Sequence, residues 1–218
     1  MEKIIKIDDA QIRNEVFIFR ESSHLPFSQI NLGRDSRFEL TLVIMPEVNT
    51  DITLRVDIDG EGAEVSINAV YLSANKEKVK FSIDIYHNVP NAISRQLLKG
   101  VVSGNAHIDF YGKIHVEQDA QKTAAYQGNH SVLLSNTAKV ETKPQLEIFA
   151  DDVKCTHGAT IGNLNEEEQF YMRSRGLSLE DAKLLQLISF IAPCLEKVED
   201  KESLIEELEG HIRQVINS

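Results

Sequence analysis

The chain has 218 residues, 42% of them hydrophobic and 26% charged, so it is long enough for one well-packed globular domain. A formal net charge of -11, with lysines and arginines scattered along the chain, excludes an extended basic surface for nucleic acid. No apolar run approaches the roughly 18 residues of a membrane helix, and the N-terminus MEKIIKIDDAQIR is unlike a secretory signal, so we expect a cytoplasmic protein without a membrane segment.

Residues 37 to 160 consist of short runs in which apolar and polar residues alternate. One run contains Ile52, Leu54, Val56 and Ile58, and later runs repeat the pattern as far as Cys155 and His157. An alternation of period two predicts half-buried β-strands. The following residues interrupt the runs and predict turns: Gly60, Gly62, Asn75, Asn88 to Pro90, Gly100, Gly104, Gly112, Gly128 and Pro144.

Two β architectures fit this pattern. No helical segment lies between the strands, which excludes βαβ units. An antiparallel sandwich or barrel and a parallel β-helix both remain, and periodicity alone does not distinguish them.

Helical patterns begin after Gly162. Asn165 is suited to cap a first helix that ends near Gly176, and Ser178 is suited to cap a second helix that ends near Pro193. A third amphipathic helix is predicted over residues 202 to 216. We therefore expect two regions, a β region at 1–163 and a helical region at 164–218.

The helical region offers two interpretations. Its apolar residues, Leu187 and Phe190 among them, either cover an open end of the β region or form a surface for a partner. Arg173 and Arg175 either bind an anion or a partner, or pair with nearby acids such as Glu180.

Cys155 and His157 form the only cysteine–histidine pair at short spacing. Residues two apart in a strand point to the same side, so a thiol and an imidazole project together as half of a soft-metal site. The alternative is a cysteine packed as a small hydrophobe beside a hydrogen-bonded histidine. His87, His107, His115 and His130 also fall in predicted strands, where solvated or capped side chains are expected, and we expect Gly112 to reset the alternation between His107 and His115. Sequence motifs for nucleotide binding, zinc proteases and serine hydrolases are absent.

One stretch carries a specific resemblance. KPQLEIFADDVKCTHGAT followed by FYMRSRG, within a match over residues 113 to about 195, resembles the SufB/SufD family of the Suf iron–sulfur cluster assembly machine. The resemblance implies a right-handed parallel β-helix with a C-terminal helical region and no enzymatic activity of its own.

The same resemblance implies partners and site residues. Family members act as scaffolds that pair through the β-helix, so this chain would form a homodimer or a heterodimer with a SufB/SufD-like chain. Family members also dock a SufC-like ABC ATPase on the C-terminal helices. In this chain the docking residues would include Arg173, Arg175, Leu187 and Phe190. By matching, His157 and Cys155 would be the metal- or sulfur-handling residues. An iron–sulfur cluster would be bound there transiently, at the subunit interface.

The motifs are those of the SufD type. SufB-type chains have a cysteine in the strand where this chain has Asn129 to Val132, and a glutamate where it has Gly158. The chain is also shorter than the usual SufB or SufD and is expected to lack their N-terminal helical region. A carbohydrate-active or carbohydrate-binding β-helix, or a purely structural adaptor, are the alternative functions; the absence of tryptophan disfavours the first.

Overall fold

The computed structural model describes residues 4 to 216 and contains twelve β-strands followed by three α-helices. The strands are β1 (Ile4–Ile7), β2 (Ile12–Phe19), β3 (Gln29–Leu32), β4 (Arg37–Ile44), β5 (Thr50–Ile58), β6 (Glu64–Ser73), β7 (Lys78–His87), β8 (Ile93–Val102), β9 (His107–Val116), β10 (Ala124–Leu133), β11 (Lys139–Ile148) and β12 (Lys154–Gly162). The helices are α1 (Glu166–Ser174), α2 (Leu179–Ile191) and α3 (Lys201–Ile216), with a 3₁₀ helix (Ala192–Leu195) after α2.

The strands form a parallel β-helix of about five turns. Odd-numbered strands make one six-stranded sheet and even-numbered strands make the other, and every neighbouring pair is parallel. Successive turns stack in register, as Asp51 does with Lys80 and Lys80 with Asp109. The expectation of a β-helix is therefore confirmed, and the antiparallel sandwich is excluded.

Alternating apolar residues fill the space between the two sheets. In β7, Val79, Phe81, Ile83 and Ile85 are all buried, whereas the residues between them face outward. Because successive side chains of a strand point to opposite faces, the period-two pattern gives each sheet one buried face. The core lies inside the solenoid.

Several predicted turn residues lie inside strands instead. Gly100, Gly112, Gly128 and Pro144 belong to β8, β9, β10 and β11. Gly100 is required by packing, because a Cβ there would lie 1.7 Å from the ring of Tyr71 on the neighbouring strand. Pro144 is tolerated because β11 is the edge strand of its sheet.

The C-terminal helices pack on the outer face of the even-numbered sheet. Val43 and Val70 point away from the solenoid interior yet are fully buried, and one hydrophobic cluster contains them together with Leu187 and Leu208 of the helices. The division at residue 163 stays a prediction, since this cluster is common to both regions. In the described range 4–216, no helix is long and apolar enough to cross a bilayer.

The helix ends agree with the capping residues. The Asn165 side chain accepts hydrogen bonds from the N–H groups of Glu167 and Glu168, at 2.9 and 3.2 Å, and the Ser178 hydroxyl accepts one from the Asp181 N–H at 3.0 Å. Gly176 has a φ of +98°, a left-handed conformation that favours glycine after a helix.

Candidate functional site

Cys155 and His157 lie on β12, the edge strand of the even-numbered sheet. In the register with β10, Cys155 is opposite Ala125 and His157 is opposite Gln127. Ala125 and Gln127 are buried and face the solenoid interior, so Cys155 and His157 face the same way. The structure therefore places both side chains on one face, as the sequence predicts.

The last turn of the solenoid, formed by β11 and β12, is open to solvent, and we call it the open turn. One turn earlier, the inward-facing residues of β9 and β10 are buried from Ile108 to Val116 and from Ala125 to Ser131. The inward-facing residues of the open turn are each half-buried or exposed: Val140, Thr142, Pro144, Leu146, Ile148, Cys155, His157, Ala159 and Ile161. The interior face of the fold becomes a surface at this end.

Cys155 is partly packed and is not an activated thiol. It contacts a small hydrophobic cluster that includes Ala125, Ala150 and Val153. Burial raises the pKa of the Cys155 thiol, and a hydrogen bond with the Ala125 backbone opposes this only in part. Cys155 is therefore protonated at neutral pH, and a metal that binds there must displace the proton.

His157 is exposed, and no residue between 4 and 216 forms a hydrogen bond with its ring. Over the same range, one group of three histidine, cysteine or acidic residues has its ligand atoms close together: His107, Asp109 and Glu141, on the outer face of the other sheet. Cys155 and His157 thus offer two donors, and a closed four-ligand site needs two more that residues 4–216 do not bring to them. This donor set fits half of a soft-metal or iron–sulfur site.

Two glutamines behind His157 were not predicted as site residues. Ile67, Gln96, Gln127 and His157 are in register on β6, β8, β10 and β12, so they form one inward-facing row. Only the parallel register shows that this row exists, because Gln96 and Gln127 stand about 30 residues apart in the chain. The one signal in the sequence is that both occupy inward positions of their alternating runs.

This chain differs from SufB-type chains at Asn129 and Gly158, and these two residues lie in different environments. Asn129 is buried and bonded, since its Oδ1 accepts from the Tyr71 hydroxyl at 3.2 Å and its Nδ2 donates to Thr142 Oγ1 at 3.2 Å. A Cβ at Gly158 would meet no atom within 4 Å, so packing does not require a glycine there. Asn129 has a structural role in the interior, whereas Gly158 lies on an open surface.

The other strand histidines form hydrogen bonds with nearby side chains. His87 is buried, its Nε2 bonds with the Ser94 hydroxyl at 2.8 Å, and burial lowers its pKa to about 4. His115 contacts Glu147 and Glu117 at 3.0 and 3.2 Å, and His130 contacts Thr160 at 2.8 Å. The expectation that Gly112 resets the alternation is wrong, because β9 is continuous and His107 and His115 both face outward.

The helical region exposes an apolar surface on α1 and α2. Phe170 is 73% exposed, and Tyr171, Leu179 and Leu185 are also exposed. Leu187 is fully buried, so it can affect this surface only through the packing of α2.

The remaining predicted docking residues are Phe190 on α2 and two arginines at the end of α1. Phe190 is half-buried beneath the Lys99 ammonium, which lies 4.8 Å from the ring centroid. Arg173 and Arg175 are exposed, and within the described part of the chain neither forms a salt bridge; Arg213 is the partner of Glu180, at 2.7 Å. Arg175 Nη2 donates a hydrogen bond to the Tyr171 hydroxyl at 3.4 Å, so this arginine and the tyrosine are presented together at the surface.

Comparison with known proteins places these features in a family. Residues 8–190 match the family model described as SUF system FeS cluster assembly, SufBD core domain. The chain is 39% identical over 157 residues to the iron–sulfur cluster assembly protein SufD of Escherichia coli, and 34% identical over 197 residues to a SufBD family iron–sulfur cluster assembly protein of Synechocystis. These alignments cover 72% and 90% of this chain but only 37% and 42% of the two relatives.

A third relative is the chloroplastic protein ABCI7 of Arabidopsis thaliana, 31% identical over 198 residues, which are 89% of this chain and 41% of the relative. The chain therefore spans about two fifths of the length of these relatives. The family match extends well upstream of the motif around Cys155, across most of the β-helix. The chain belongs to the SufBD family of the SUF system for iron–sulfur cluster assembly.

Proposed function

We propose that this chain is a non-catalytic scaffold subunit of Suf-type iron–sulfur cluster assembly. It pairs with a second SufBD-type chain through the open turn and binds a SufC-like ABC ATPase through its C-terminal helices. The observation that carries the proposal is that half-buried Cys155 and exposed His157 lie together on an interior face of the solenoid that no further turn covers.

Pairing follows from the edges of the open turn. β11 and β12 each have a neighbour on one side only, so their outer edges present unpaired N–H and C=O groups. A second copy placed end to end would continue both sheets and cover the inward-facing residues from Val140 to Ile161. The inward-facing residues of the open turn include no acidic residue, lysine or arginine. At the opposite end of the solenoid, Arg13 and Glu15 face inward as an ion pair at 2.6 Å. Inward charges oppose strand addition, so the open turn is the favoured end for pairing.

The cargo site would be formed by both subunits. Two copies that meet at the open turn supply two thiols and two imidazoles, which is a donor set suited to iron–sulfur species or a tetrahedral metal. In a heterodimer, a SufB-like partner would supply the donors that the second copy supplies in a homodimer. In either case the cluster is cargo, assembled at the interface and passed on.

The ATPase would dock on the exposed surface of α1 and α2. Phe170, Tyr171 and Leu185 supply apolar contacts, and Arg173 and Arg175, which form no salt bridge among the described residues, supply positive charge beside them. Aromatic residues and arginine are enriched at the centres of protein interfaces. ATP-driven rearrangement of the docked ATPase would then move the two scaffold subunits and expose the cargo.

Copurification with the ABC ATPase of the same system tests the docking step. A Phe170→Ala, Arg175→Ala double variant should lose the complex without a change in melting temperature, because both side chains are exposed. Ile12→Ala is the control, since Ile12 is 69% exposed at the other end of the solenoid. Retention of the complex by the double variant would contradict this docking surface.

Anaerobic reconstitution with iron and sulfide tests the cargo site. The full chain should gain visible-range absorbance, and His157→Ala and Cys155→Ala should each lose most of it while remaining folded. Equal absorbance in the His157→Ala variant would exclude His157 as a ligand.

A further inference from the structure

The interior row behind His157 contains two buried glutamines. Gln96 and Gln127 are 3% and 4% exposed, and Ile67 occupies the same row one turn earlier. Gln127 Nε2 donates a hydrogen bond to Gln96 Oε1 at 3.4 Å. Gln127 Oε1 and Gln96 Nε2 have no partner in the described structure.

An unpartnered buried amide is costly to the fold. Leaving such a group unsatisfied costs about 1–3 kcal/mol, whereas an apolar side chain of similar shape would avoid the penalty. The Gln127 side chain has room only because residue 112 is a glycine. A Cβ at position 112 would lie 2.4 Å from Gln127 Nε2. A side chain kept at this cost, next to a proposed ligand, points to a role outside folding.

Gln127, which has the free acceptor, and His157 lie on adjacent strands. Gln127 and His157 are directly paired in the register of β10 and β12, and both face the interior. A histidine that binds a metal through one ring nitrogen almost always donates its other ring N–H to a carboxylate or carbonyl oxygen, which fixes the tautomer. His157 lacks such an acceptor among residues 4–216, and Gln127 Oε1 lacks a donor.

We propose that Gln127 is a positioning residue for His157: when His157 binds its metal cargo, one ring N–H donates to Gln127 Oε1, and the other ring nitrogen presents its lone pair to the metal. Gln96 holds the amide of Gln127 in place through the bond to Nε2. The inference rests on the proposed role of His157 in cargo binding.

Cobalt(II) is the probe, added alone to the 218-residue chain. Gln127→Met removes the acceptor and keeps an unbranched side chain of similar length, and we expect a 10–100-fold loss of Co²⁺ affinity, the usual effect of removing such a partner. Gln127→Glu keeps an acceptor oxygen and should retain most of the affinity. Ile67→Met, in the same interior row two turns deeper and fully buried, is the control and should bind Co²⁺ within about threefold of the wild type.

Two further readouts separate positioning from a structural role. In the Co²⁺-loaded wild type, the paramagnetically shifted ring N–H proton of His157, assigned by its loss in His157→Ala, should exchange slowly with solvent, and in Gln127→Met it should exchange rapidly. The melting temperature of Gln127→Met should change little, because removal of the unsatisfied Gln127 Oε1 offsets the loss of the donor to Gln96 Oε1.

Unchanged Co²⁺ affinity and N–H exchange in Gln127→Met would overturn the inference, and so would a large loss of stability in that variant. If His157→Ala binds Co²⁺ like the wild type, the proposed function itself fails. If His157→Ala loses binding and Gln127→Met does not, only the positioning role fails.

Discussion

Gln127 lies directly opposite His157 in the register of β10 and β12, yet Gln127 is buried and His157 is exposed. The two side chains face the same interior and differ only in that a further turn covers one of them. This change from core to surface within one turn is what makes the end of the solenoid a candidate binding site. Another strand of the same kind, added at this edge, would cover the exposed end of the solenoid.

Pairing through the open turn predicts a substitution that separates subunits without unfolding them. Ala159 is exposed on the inward face of β12, so Ala159→Lys should leave the monomer folded but introduce a charge into the proposed interface. Analytical ultracentrifugation should show a dimer for the wild type and a monomer for Ala159→Lys at equal concentration. Ile12→Lys, at the opposite edge strand, should stay dimeric; a dimeric Ala159→Lys would contradict pairing at this end.

The two cysteines should differ in reactivity towards a thiol reagent. Cys194 is 1% exposed and burial raises its pKa to about 12, whereas Cys155 is half-buried. One thiol per chain should react in the native protein and two after denaturation. Because burial also raises the pKa of Cys155, its reaction should be slower than that of a free cysteine at pH 7 and should accelerate as the pH rises. A fast reaction at pH 7 would show an activated thiolate instead.

Glu77 should make stability depend on acid pH. The residue is 3% exposed; burial alone would raise the pKa of its carboxyl, but backbone N–H donors, including those of Glu47, Ala74 and Asn75, outweigh burial and hold the pKa below its usual value of 4.5. A lowered folded pKa stabilises the fold at neutral pH, and this contribution is lost as the pH falls below 4.5 and through the folded value.

Glu77→Gln should therefore lower the free energy of unfolding at pH 7 by roughly 1–3 kcal/mol, the cost of weakening a buried charge-assisted network. Urea titrations at pH 7 and at acid pH measure the difference, which should shrink as the wild-type carboxyl becomes protonated. An equal difference at both pH values would contradict the role of the ionised carboxylate.

Gly100 should not tolerate a side chain. A Cβ there would lie 1.7 Å from Tyr71, whose ring is fully buried and whose hydroxyl bonds with Ser131 Oγ at 2.8 Å, so the ring cannot move away freely. Gly100→Ala should cost about 1–3 kcal/mol or more, as overpacked cores do. Gly158→Ala, where a Cβ meets nothing within 4 Å, should be close to neutral in the same thermal melts. Equal stability of the two variants would show that the core around Tyr71 is loosely packed.

The sequence predicts local features of this fold well. Alternation in segments such as 78–87 indicates strands, the capping roles of Asn165 and Ser178 follow from side-chain chemistry, and the spacing of Cys155 and His157 indicates a shared face. These properties depend on residues within a few positions of one another.

Properties that depend on stacking between turns could not be read from the chain. Gly100 looks like a turn residue until the parallel register brings Tyr71 against it. The glutamine row and the open turn have the same origin, because burial of an inward residue depends on whether another strand follows about 30 residues later. For Leu187 the sequence left two interpretations open, a cover for the β region or a partner surface, and it lies in the core because α2 packs on the even-numbered sheet.

We propose that His157 and Cys155 together hold iron–sulfur cargo at an interface between subunits. X-ray absorption spectroscopy at the iron edge of the reconstituted, dimeric 218-residue chain measures the neighbours of the iron. We expect sulfur and nitrogen neighbours in the wild type, loss of the nitrogen shell in His157→Ala, and loss of bound iron in the monomeric Ala159→Lys. An iron environment that is the same in all three proteins would contradict the proposal.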